Sequence, residues 1–201
     1  MSFPITPIYA LDIETDTTVN GLDPKVSKII AVAVSCSRGD NKVFTGSEVE
    51  ILTKLERYIR KLPDGVIVTW NGAVFDLPFL MDRYQTLGVD TTLEIAPDLQ
   101  VHIKYEPLKG HKSGYKGRWG YHAHCDISTL YYTLATKLGL RHGLKPVARE
   151  ILGIEPIEVD RTQMHRLSNK QLYDYAISDT DITLGLASFR RQEVYENVDQ
   201  L

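Results

Sequence analysis

Four carboxylates stand where a folding argument alone would not put them. Asp12 and Glu14 close an apolar, strand-forming run, Asp76 ends the segment Trp70-Asn71-Gly72-Ala73-Val74-Phe75-Asp76, and Asp179 ends Tyr175-Ala176-Ile177-Ser178-Asp179. Acids beside a core take up protons unless their charge is compensated. Paired divalent cations are one such compensation, and two cations held by carboxylates are a device for cutting phosphodiester bonds.

Each acid also has an ordinary explanation. Asp12 and Glu14 lie two apart on a strand and share a face, but a sheet that has already ended would leave both in water. Asp76 could cap a helix that carries Pro78 in its first turn, after a turn made at Gly72. Asp179 interrupts a helical stripe of Leu172, Tyr175, Ala176, Ile182 and Leu186, one turn after Tyr175 on the same face. A satisfied core aspartate would fit there too.

The elements that must carry these groups follow from pattern. Ile5 to Ile13 predicts a strand. Lys28 to Cys36 is almost continuously apolar and predicts a buried central strand. Arg38-Gly39-Asp40-Asn41 predicts a turn back into a third strand over Lys42 to Thr45. Ser47 and Glu50 form a capping-box pattern ahead of Val49, Leu52, Leu55 and Ile59 at helical spacing, and that helix should stop near Pro63. Val66 to Thr69 predicts a short strand, Asp76 to Leu87 a helix ending at Gly88, and His122 to Ile127 a strand. Helices are predicted from Ser128 to Leu138, from Leu144 to Leu152 before Gly153, and after Ser168 with Gln171. The expectation is an α/β fold, a mixed five-stranded sheet with helices on both faces.

The chain has 201 residues, 43% of them hydrophobic, enough for one domain with a full core. A net charge of −3 counts against a simple electrostatic nucleic-acid binder, although catalytic acids awaiting metal would add negative charge. Cys36 and Cys125 show no metal-type spacing and no disulfide framework. Met1-Ser2-Phe3-Pro4 lacks the features of a signal peptide, and no apolar run approaches a membrane span. These features predict a cytoplasmic protein with no membrane partner.

Taken in order, the acidic segments resemble the motifs of the DEDD superfamily of 3′→5′ exonucleases, which have a ribonuclease H-like fold. D-x-E at the end of the first strand is matched by Asp12 and Glu14. N-x-x-x-F-D is matched by Asn71, Phe75 and Asp76, and Y-x-x-x-D, of the tyrosine branch, by Tyr175 and Asp179. The histidine branch would need a histidine where Asp174 stands. Within the tyrosine branch, LDIET, WNGAVFDLPFL and YAISDTDITL are similar to segments of the proofreading domain of family-B DNA polymerases. So is Gly143 to Gly153, and the resemblance runs from about Ile8 to Leu186.

That resemblance implies hydrolysis of single-stranded DNA from its 3′ end, releasing nucleoside monophosphates. It implies two Mg²⁺ or Mn²⁺ ions, which suit oxygen-only ligands. Asp12, Glu14 and Asp179 would hold one ion, Asp12 would bridge to a second about 3.5–4 Å away, and Asp76 would help through water. Tyr175 would orient the attacking water, since an ordinary tyrosine pKa of about 10 makes a poor general base. RNA is an alternative substrate, and a non-catalytic nucleic-acid- or polymerase-binding module is an alternative role. No polymerase segment follows the last helix, so a partner polymerase would act in trans. Asn71 and Phe75 could contact the terminal nucleotide or serve the turn and the core, and Trp70 is expected in the core.

Between the second and third motifs lies an expected basic loop. Lys104, Lys109, Lys112, Lys116 and Arg118 alternate with Tyr105, Tyr115, Trp119 and Tyr121, and glycines at 110, 114, 117 and 120 would loosen it. Cations with aromatic faces suit a single-strand track, and a solvated loop is the plain alternative. Lys112, Lys116 and Arg118 are its candidate substrate contacts. His122 and His124 would share a strand face, but no full zinc ligand set is visible. Asp126 matches a position where the family often has a structural aspartate.

Overall fold

A computed structural model describes residues 6–39, 41–102 and 106–201. Ile5, Asp40, Lys104 and Tyr105, and the amino-terminal Met1 to Pro4, lie outside the described residues.

Seven strands form one sheet: β1 (Ile8–Thr15), β2 (Ile29–Cys36), β3 (Asn41–Thr45), β4 (Val66–Thr69), β5 (Leu93–His102), β6 (Ser113–Trp119) and β7 (His122–Asp126). Their spatial order is β3-β2-β1-β4-β7-β6-β5. The parallel strands β1, β4 and β7 are central, and antiparallel strands flank them on both sides. Among the described residues the α-helices are α1 (Glu48–Ile59), α2 (Asp76–Leu87), α3 (Ser128–Lys137), α4 (Leu144–Leu152), α5 (Asn169–Phe189) and α6 (Arg191–Glu196).

Helices cover both faces, as the sequence predicts. On one side Tyr9, Leu11 and Ile13 of β1 pack with Leu52 and Leu55 of α1 and Phe79 and Leu80 of α2. On the other, Ile8 and Ala10 pack with Tyr131 of α3, Val147 of α4 and Ile182 and Leu186 of α5. Alternate residues of β1 thus enter opposite cores, the period-two rule at work. Ser168 opens α5 with the expected capping box, its hydroxyl accepting from the Gln171 backbone N–H, and Glu50 accepts from the Ser47 backbone N–H at the start of α1.

The sheet face that meets α5 is made of small side chains. Ser35 stands opposite Ala10, Ala33 opposite Asp12 and Ala31 opposite Glu14. The Ser35 hydroxyl meets that of Thr180 on α5 at 2.8 Å. This layer seats the long helix close against β1 and β2.

Two strands escape the sequence reading, so the sheet has seven and not five. Leu93–His102 pairs with Ser113–Trp119 as a hairpin, and much of the expected loose basic loop is therefore regular. Two of its glycines, Gly114 and Gly117, serve close approach. A Cβ at Gly117 would lie 2.5 Å from Leu77 Cδ1, so the strand needs glycine to approach α2. Trp119 is buried, donating from Nε1 to Glu56 at 2.8 Å. Cys36 and Cys125 are both buried and free. No helix among the described residues is long and apolar enough to cross a membrane.

Candidate active site

The parallel strands end on a common edge, where crevices of α/β sheets form. A cavity of about 1130 Å³ opens there, lined by Asp12 and Glu14 from β1, Asp76 from α2 and Tyr175 and Asp179 from α5. The sequence-predicted acids and tyrosine therefore share one wall. Asn71 and Phe75 line it as well.

Local structure explains each placement. Beyond Ala10, β1 has lost β4 as a neighbour, so the Ile13 N–H faces an empty edge. Asp76 Oδ1 accepts it at 3.1 Å. The carboxylate thus reaches across to β1 and does not cap its own helix, whose N-cap is Phe75. Asn71 adopts φ 68°, a left-handed conformation that asparagine tolerates. Beside it, a Cβ on Gly72 would lie 2.3 Å from Thr69 Oγ1. Asp126 holds this turn, accepting from the backbone N–H groups of Asn71, Ala73 and Ser128 at 2.9, 3.1 and 3.0 Å. From the hairpin, the Tyr115 N–H donates to the Ala73 carbonyl at 2.8 Å.

Burial and mutual repulsion dominate the electrostatics. Burial, then Glu14, Asp76 and Asp179, hold the Asp12 carboxyl well above the usual carboxylate range. Burial and Asp179 push Glu14 up to about 8. Burial raises Asp76 to about 7, against the opposing hydrogen bond from Ile13. Asp179 is raised by burial and pulled back by Lys145 and Arg161. Tyr175 is pushed far up by burial and then by Asp179 and Glu14, so its hydroxyl stays protonated at neutral pH.

Lys145 and Arg161 are the site residues that sequence reasoning missed. Lys145 is buried on α4 with Nζ 3.5 Å from Asp179 Oδ1 and 4.4 Å from the centre of the Tyr175 ring, and it donates to the Ile157 carbonyl. The signal was there: a cation between Leu144 and Val147 on the apolar face of a short helix. Arg161 lies on the 3-10 turn Arg161–Arg166, which carries no periodic pattern.

The donor chemistry fits hard divalent ions. Every candidate ligand is a carboxylate, and Asp179 Oδ1 is buried without a hydrogen bond, the kind of atom a cation would satisfy. No group of three or more His, Cys, Asp or Glu side chains among the described residues is already arranged to hold a metal ion. Lys145 and Arg161 supply positive charge to that wall instead.

The basic residues stand elsewhere. Lys112, Lys116 and Arg118 are not among the cavity's lining. Arg118 pairs with Glu94 at 2.7 Å and Lys109 with Asp23 at 2.6 Å. His122 bonds the Ile59 carbonyl at 3.1 Å, while His124 bridges Thr69 at 2.8 Å and Asp199 at 2.6 Å. The two histidines serve packing on separate partners.

Comparison with known proteins bears on all of this. Residues 42–131 match the family model of the DNA polymerase family B exonuclease domain, a span that contains Asp76 but neither the β1 acids nor Asp179. DNA polymerase 1 of Aeropyrum pernix is 26% identical over 96% of this chain and 22% of its own length. The catalytic polypeptide of DNA polymerase epsilon from Saccharomyces cerevisiae is 30% identical over 69% of this chain and 6% of its own. The chain thus spans about a fifth or less of these relatives. The solved family B DNA polymerase of Pyrobaculum calidifontis superposes with a TM-score of 0.70 at 22% identity, covering 92% of this chain and 24% of that one. The fold is accordingly ribonuclease H-like.

Proposed function

Since the chain resembles the exonuclease domain of family B DNA polymerases, we propose that it is a metal-dependent 3′→5′ exonuclease acting on single-stranded DNA. The observation that carries this reading is the shared wall of Asp12, Glu14, Asp76, Tyr175 and Asp179 in one cavity.

In this reading Asp12, Glu14 and Asp179 hold divalent ions of the Mg²⁺ or Mn²⁺ type, with Asp76 contributing from α2. When bound, such ions activate water and stabilise the leaving oxygen. The chain's own groups do the rest. Asn71, held left-handed by its turn, and Phe75 receive the terminal nucleotide. The Tyr175 hydroxyl accepts a hydrogen bond from Arg161 Nε at 3.2 Å and turns its proton toward Asp179, the side on which the attacking water would sit. Being protonated, it orients that water and does not deprotonate it. Lys145, 3.5 Å from Asp179 Oδ1, fixes the acid and brings positive charge toward the phosphate. Water attacks phosphorus and gives up a proton to solvent, the bond to the 3′ oxygen breaks and that oxygen takes up a proton from solvent, and a nucleoside 5′-monophosphate leaves a strand shortened by one.

The test is degradation of 5′-labelled DNA and RNA oligonucleotides with Mg²⁺, Mn²⁺ or EDTA. A metal-dependent ladder shrinking from the 3′ end is expected, and Asp12→Ala should abolish it while leaving the fold intact. A wild-type rate from Asp12→Ala, or no turnover of any oligonucleotide by the wild type, would sink the proposal.

A further inference from the structure

Arg161 holds an unusual position among the charged groups of the cavity. Its backbone is fixed: Asp160 caps the turn by accepting from the Thr162 N–H at 2.9 Å, and His165 Nδ1 meets Thr17 Oγ1, in the loop after β1, at 3.0 Å. Its side chain is held more loosely, by one hydrogen bond and one long ion pair. It is 68% exposed, whereas Asp179 is 4% exposed and Lys145 7%. Nη2 lies 3.7 Å from Asp179 Oδ2, an ion pair without a hydrogen bond, and Nε donates to Tyr175 alone.

We propose that Arg161 is a removable counter-ion: it neutralises the acidic wall while no divalent cation is held there, and turns to a phosphate oxygen of the substrate once one is. The second half rests on the exonuclease reading; the first does not.

Beside the 3.7 Å approach of Nη2 to Asp179 Oδ2, two physical points support it. A guanidinium and a divalent ion on the same carboxylates repel one another, so binding one favours release of the other. The released fork matches the geometry of a phosphate, and an exposed side chain can swing to it without unfolding the turn. Lys145, buried and tied to the Ile157 carbonyl, cannot move in this way and remains the permanent cation.

The experiment measures Mn²⁺ binding to the full chain by calorimetry, without nucleic acid, alongside oligonucleotide kinetics. Arg161→Gln keeps a donor for Tyr175 but removes the charge, and it should bind Mn²⁺ roughly two- to fivefold tighter than wild type, the scale of losing one exposed ion pair. Its kcat/KM on DNA should nevertheless fall. Arg161→Lys should restore wild-type Mn²⁺ affinity but not full kcat/KM, because an ammonium lacks the fork. In EDTA at pH 8 the Arg161→Gln midpoint should drop, and Mn²⁺ should recover it, whereas a purely structural role would lower it under both conditions. Unchanged or weaker Mn²⁺ binding by Arg161→Gln overturns the proposal. A wild type that binds Mn²⁺ but degrades no oligonucleotide removes the exonuclease reading and the phosphate half, leaving the counter-ion half to stand or fall on calorimetry.

Discussion

Replacing Glu14 by glutamine in protein freed of divalent ions removes one of four acids that repel across a single wall. The folded-state carboxyl titrates at about 8 instead of the ordinary 4.5. It therefore binds its proton more tightly folded than unfolded, and each rise in pH between those values favours unfolding. Each unit corresponds to about 1.4 kcal/mol, so the full displacement is on the order of 5 kcal/mol at pH 8. Glu14 keeps a partly solvent-facing side chain, and screening there reduces the expected gain to about 2–3 kcal/mol. For a domain near this size, 1 kcal/mol moves the melting midpoint by about 2–4 °C. Scanning calorimetry in EDTA at pH 8 should thus show Glu14→Gln melting roughly 4–12 °C above wild type. Well below pH 4.5, where wild-type Glu14 is protonated in both states, the two should coincide. Adding Mg²⁺ should stabilise the wild type far more than the variant. A variant that melts below wild type by the same margin at both pH values would refute the idea that this carboxylate is held against its own electrostatics.

Three further outcomes follow from the geometry. Gly72→Ala forces a Cβ to within 2.3 Å of Thr69 Oγ1 and should destabilise by about 1–3 kcal/mol in urea melts, with nuclease rate falling further as Asn71 and Asp76 shift. Asp126→Ala strips the acceptor from three backbone N–H groups and should destabilise by about 1–2 kcal/mol, because these donors are exposed or half-buried and water can take over part of the bonding; Asp126→Asn should be milder. Lys112→Glu with Lys116→Glu should weaken oligonucleotide binding and flatten its salt dependence by about two counterions, without changing the turnover number, since neither residue lines the cavity.

What the sequence disclosed and what it hid have physical reasons. β1, β2 and β4 are legible because they are buried on both faces and read as apolar runs. The helix starts are legible because Ser47, Glu50, Ser168 and Gln171 satisfy orphan amides through local chemistry. The four acids are legible because they violate the pattern around them. The β5–β6 hairpin is not, because its burial is decided by distant partners: Gly117 is covered by Leu77, and Trp119 finds Glu56. Neither partner can be read from the strand itself. Arg161 is hidden for a similar reason: it acquires meaning only when the 3-10 turn is folded against α5, which no local period encodes. Lys145 does leave a local sign, a cation on the apolar face of α4, but its partner Asp179 comes from a distant helix.

The alanine and serine floor beneath α5 makes the gap between the two halves of the acid set a matter of side-chain volume. Asp12 and Glu14 ride on the sheet, Tyr175 and Asp179 on the helix, and Ala31, Ala33 and Ser35 act as the shim that separates them. A methyl or two added to that floor would lift the helix as a rigid rod, widening the aperture without altering any group that lines the cavity. Reactivity in this protein is therefore adjustable from beneath, by substitutions that would pass for simple core changes.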